Sequence, residues 1–64
     1  MKIILDLKGI SNYLNISESM IRKLVRERKI PYFRIGNRLK FDINEVNKWI
    51  KESQEKETLN SVFF

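Results

Sequence analysis

Apolar positions recur along this chain at two different periods, and the change of period marks out its elements. Leu7, Ile10, Ser11 and Leu14 fall at i, i+3, i+4 and i+7, the spacing that puts four side chains on one face of a helix. Asp6 precedes them as a capping residue, because its oxygen can accept from the unpaired N–H groups of a first turn. Gly9 lies inside this segment and costs a helix about 1 kcal/mol relative to Ala. Asn15, which tolerates the left-handed conformation, marks the end. Ser17 then offers a second cap, and Ile21, Leu24 and Val25 a second apolar stripe, predicting a helix over about Glu18 to Arg28.

Only Asn15, Ile16 and Ser17 separate the two helices, which is the spacing of a helix-turn-helix, with the small Ser11 where close approach is needed. Pro31 closes the helical region, since the residue before a proline is pushed out of the helical conformation. The period then shortens. Tyr32-Phe33-Arg34-Ile35 and Leu39-Lys40-Phe41 read as two strands, and Gly36-Asn37 between them as a hairpin signal. A two-residue turn suits Gly36 but sets Arg38 and Lys40 on the face of Phe33 and Ile35. A three-residue loop ending at Arg38 instead gathers Phe33, Ile35, Leu39 and Phe41 on one face, with Arg34 and Lys40 opposite. Burial favours the second register. Asp42 caps a third helix, Glu45 completes a capping-box pattern, and Ile43, Val46, Trp49 and Ile50 form the apolar face of a helix reaching about Glu57.

The expected fold is mainly α with a small β-hairpin, a winged helix-turn-helix of helix, helix, two-stranded wing and helix. Residues 1–57 make the domain, and residues 58–64 a C-terminal tail whose Leu59, Val62, Phe63 and Phe64 fold back, stay disordered or meet a partner. Trp49, Phe33 and Phe41 sit at core spacing and read as core, not as platforms for stacked bases.

Composition narrows the chemistry. Sixty-four residues make one small domain. With no Cys and no His, the chain lacks a disulfide framework, the usual zinc ligands, a thiol nucleophile and an imidazole base. No enzyme activity, metal, cofactor or small-molecule ligand is expected. No apolar run approaches the roughly 18 residues that span a bilayer, and the apolar start is too short for a signal peptide, so the expected location is the cytoplasm, without membrane attachment.

Charge adds the sharper clue. The stretch from Arg22 to Lys40 holds eight cations opposed only by Glu27, whereas the remainder holds five cations against seven acids. Such a basic centre is either a solvated face or an electrostatic footprint for a polyanion. On the second helix, Ser19, Arg22, Lys23 and Arg26 lie opposite the apolar stripe within about 100° of arc. A helix fits the major groove, which is about 12 Å wide, with its N-terminal exposed face at the base edges. Ser19, Arg22 and Lys23 are then base-contact candidates, Arg22 foremost because its fork matches guanine O6 and N7, and Arg26 falls to phosphate. Ser17 and Glu18 complete the helix start. Glu18 can accept from cytosine N4, although the helix dipole already accounts for an acid there. The wing adds Arg38 at its tip over the minor groove, Arg34 and Lys40 along its strands, and Asn37 as a further hydrogen-bonding group.

The run Asp6 to Ile50 also resembles the excisionase-type, MerR-like winged-helix DNA-binding domain. The matching residues are Ile16-Ser17, Ile21, Leu24, Lys29-Ile30-Pro31, Phe33-Arg34-Ile35-Gly36, Arg38, Phe41 and Trp49-Ile50. Family members often carry Gly where Asn15 and Arg28 stand here, and Gly9 is unusual. The chain is little more than such a domain. The resemblance implies a sequence-specific binder of double-stranded DNA, with the second helix in the major groove and the hairpin as a wing. In a phage or mobile element, in a bacterial cell and at its nucleoid, this implies an excisionase that bends DNA for integrase-mediated recombination. Integrase and further copies on adjacent sites are then the partners. A small transcriptional regulator of the phage or element is the alternative role, and a protein interaction module the alternative of another class.

Overall fold

The computed structural model describes residues 2–62, with side chains through residue 55. Its elements run β1 (Ile4–Leu5), α1 (Leu7–Leu14), α2 (Glu18–Arg26), β2 (Phe33–Ile35), β3 (Arg38–Asp42) and α3 (Ile43–Val62). This is a winged helix-turn-helix, with one strand more than the sequence pattern announces. β1 joins the hairpin to make a three-stranded antiparallel sheet in the order β1-β3-β2. Two residues leave too short a pattern to read, and pairing of Ile4 with Asp42 and Leu5 with Phe41 is a long-range event. The Ile43 N–H, donated to the Ile3 carbonyl at 3.0 Å, extends the tie.

The helix ends follow local rules. Asp6 caps α1 by accepting from the Gly9 N–H at 2.7 Å, and Ser17 caps α2 by accepting from the Met20 N–H at 3.1 Å. Asn15 ends α1 at φ 58°. Ser11 holds the turn at close range: its hydroxyl donates to the Ile16 carbonyl, and its own carbonyl accepts from the Ile16 N–H at 3.2 Å. α2 stops at Arg26, two residues short of the expected Arg28, because Arg28 turns left-handed at φ 55°. An arginine there costs about 1–2 kcal/mol where glycine would be at ease. At α3, Asp42 Oδ1 accepts from the Asn44 N–H at 3.0 Å, while Oδ2 faces Lys2 Nζ at 3.5 Å. α3 continues to Val62, past the expected end near Glu57, with no Gly or Pro to interrupt it. Whether the apolar tail folds back concerns side chains outside the described residues.

Ile10, Ile21, Val25, Ile30, Phe41, Ile43 and Val46 are buried and form the core. Every one comes from a predicted apolar stripe or, for Ile30, from the link before Pro31. Trp49 packs against this core half-buried. The Tyr13 hydroxyl donates to Asn47 Oδ1 at 2.6 Å, tying α1 to α3.

The wing register differs from the expected one. Phe33 pairs with Lys40, Arg34 with Leu39 and Ile35 with Arg38, so the turn is the two-residue Gly36-Asn37. Gly36 takes φ 61° at the first central position, where a type II′ turn needs a positive value. Leu39 and Phe41 therefore share the inward face with Tyr32 and Arg34, while Phe33 and Ile35 lie outward with Arg38 and Lys40. Phe33 is 39% and Ile35 60% exposed, so Phe33 is not core. The wing extends past the apolar layer, and burial has no hold on residues with nothing to be buried against.

Candidate nucleic-acid interface

α2 is amphipathic by construction. Ile21 and Val25 are buried, and the turns between them leave Ser19, Arg22, Lys23 and Arg26 exposed on the outer side. Packing of α1 on α2 and of α1 on the sheet fixes where that outer face stands relative to the wing.

The two meet at a cleft of about 790 Å3. Glu18, Arg22 and Arg26 line it from α2, and Arg34, Asn37, Arg38 and Lys40 from the wing, Arg34 from one face of the hairpin and Arg38 and Lys40 from strand positions of the other. Seven of the ten predicted contact residues are thus brought to one place. The other three are not. Ser19 and Lys23 are exposed on α2 outside the cleft wall, and Ser17 is engaged at the helix start, its oxygen bound to the Met20 N–H.

Three further residues join that wall without having been singled out. Lys8 reaches it from the first turn of α1, Arg28 from the bend after α2, and Tyr32 from the link just before β2. Lys8 stands far from the basic run in sequence, so only the packing of α1 brings it there. Arg28 belongs to the basic run, and the apolar spacing alone places it at the end of a helix. Tyr32 supports Arg34, whose guanidinium carbon sits 5.9 Å from the ring centroid, within the range of a cation–π contact. The inward register makes this contact possible, since Tyr32 and Arg34 are two positions apart on one face.

The electrostatics are one-sided. Of fourteen lining residues, seven are Lys or Arg and two, Asp6 and Glu18, are acidic. The ion pairs among the described residues are Lys2 with Asp42 and Lys29 with Glu27, so none of the seven cleft cations has a carboxylate partner within 4.0 Å there. Unpaired cations gathered around one cleft repel each other and attract a polyanion. Glu18 lies in the first turn of α2, where the helix dipole favours an acid. No helix among the described residues is long and apolar enough to cross a membrane.

A family model described as a helix-turn-helix domain matches residues 4–54. No curated protein and no solved structure gives a significant match.

Proposed function

The chain belongs to the helix-turn-helix domain family, and from that premise we propose that it reads double-stranded DNA in a sequence-specific way, with α2 in the major groove and the wing over the neighbouring minor groove. DNA is the partner that such a domain supports. One observation carries the finer reading: cations from α1, α2, the following bend and the wing converge on a single cleft, unpaired with any carboxylate among the described residues. In this arrangement Arg22 addresses base edges from the first half of α2. Arg26 and Arg34 meet phosphates, and Arg38 enters the minor groove beside the Gly36-Asn37 turn.

The biological role we assign is that of an excisionase of a phage or mobile element, acting on DNA in the bacterial cytoplasm without catalysis of its own. Several copies occupy adjacent sites and bend the duplex so that an integrase recombines in the excision direction. The resemblance of Asp6 to Ile50 to excisionase-type domains supports this role.

Footprinting on attachment-site DNA and on the DNA upstream of its own gene, paired with an integrase excision reaction, tests both levels. Protection of attachment sites with stimulated excision supports the role. Protection confined to the upstream region, with excision unchanged, identifies a transcriptional regulator instead. Binding that is indifferent to salt and absent from every duplex removes the DNA reading and leaves a protein interaction module.

A further inference from the structure

We infer that Arg28 is a DNA-backbone contact, retained in an unfavourable backbone position for the sake of its side chain. The inference rests on the DNA-binding reading above. After α2, the Arg28 N–H bonds the Val25 carbonyl at 3.0 Å and the Lys29 N–H returns to the Leu24 carbonyl at 2.8 Å. These are the two bonds of a Schellman ending, which requires a left-handed residue between helix and exit. Arg28 supplies it at φ 55°. Glycine is the residue at ease there, because a Cβ crowds the following carbonyl.

Nothing in the packing asks for an arginine at this point. The residue is exposed, the adjacent acid is already engaged, Glu27 Oε1 lying 3.3 Å from Lys29 Nζ, and no carboxylate among the described residues pairs with Arg28. Arg28 instead lines the cationic cleft together with Arg26 and Arg34. Its position along the helix selects phosphate over base. At about 1.5 Å per residue α2 spans about 12 Å from Glu18 to its end at Arg26, which matches the groove's width of about 12 Å, and Arg28 lies beyond that end, at the backbone side when the first turn of α2 is at the base edges. The competing role is local: a cation near a helix C-terminus complements the dipole and needs no ligand.

Arg28→Gly and Arg28→Lys, made in the full chain, separate the two. Each is melted, and titrated at several salt concentrations on a duplex carrying the site and on an unrelated one. Arg28→Gly is expected to melt no lower than wild type, to bind both duplexes about 3- to 10-fold more weakly at about 0.1 M salt, and to show a salt slope shallower by about 0.9. Arg28→Lys recovers the slope. A wild-type slope and affinity in Arg28→Gly overturn the inference, whether or not its melting point falls. Failure of the wild-type protein itself to bind either duplex overturns the DNA-binding reading on which it rests.

Discussion

The Gly9 N–H donates to Asp6 Oδ1 at 2.7 Å, and a Cβ on Gly9 would stand 3.1 Å from that same oxygen and 3.3 Å from the Leu5 Cβ. The glycine that weakens α1 by propensity is thus the one that lets its cap close. Alanine would gain about 1 kcal/mol of helix propensity, but it crowds a cap of similar worth, about 1 kcal/mol. It also presses on Leu5, which pairs with Phe41 in the sheet. Gly9→Ala is therefore expected to melt at or below the wild-type temperature. A rise of about 4 °C or more would show that the cap yields without cost.

The wing register has its own test in stability. Phe33→Ser and Ile35→Thr remove outward, exposed side chains and should change stability by less than about 0.5 kcal/mol. Phe41→Ala empties a fully buried site at about 3–5 kcal/mol, enough to unfold a domain of this size at ambient temperature. Trp49→Ala should fall between, because Trp49 is only half-buried. Circular dichroism melts rank the four. Strong destabilisation by Ile35→Thr would restore the three-residue loop.

Binding to DNA should be dominated by charge. If four to six of the cleft cations neutralise phosphates, log K should fall with log salt at a slope of about −4 to −5. Fluorescence anisotropy on a short duplex measures it. A slope shallower than about −2 would remove the phosphate-contact account.

Arg22 and Arg26 stand one helical turn apart on α2 and are assigned different tasks. Arg22→Ala should cost about 1–3 kcal/mol on the specific site and little on random duplex. Arg26→Ala should weaken both alike. Equal losses on both duplexes for the two variants would mean that the base-reading face is elsewhere, with exposed Ser19 and Lys23 the next residues to vary.

The wing and the number of copies are tested together. A single reading head of this size buries about 600–1,000 Å² against DNA, so useful specificity calls for adjacent copies or a partner. Arg38→Ala should lower affinity most where the neighbouring minor groove is narrow and A·T-rich, and leave the melting temperature unchanged because the tip is exposed. A duplex with two adjacent sites should bind more tightly per site than a duplex with one. Equal affinity per site argues against cooperation, and wild-type binding by Arg38→Ala against the wing contact.

What the sequence determined by itself is what depends on neighbours within one or two turns of chain. Asp6, Asn15 and Ser17 act where they stand, because a cap is a bond between residues three or four apart. The apolar stripes of α1 and α2, and the cationic face opposite Ile21 and Val25, follow from helical spacing in the same way. Tertiary structure decided the rest. β1 exists only because β3 is beside it, and Lys8 enters the cleft only because α1 packs on α2 and the sheet. The wing shows the boundary most clearly. Its turn chemistry, Gly36 at the first central position, was a local signal and prevailed. Burial does not govern Phe33 and Ile35, because it is a property of what lies opposite a residue, and only the folded chain shows that no apolar layer extends that far.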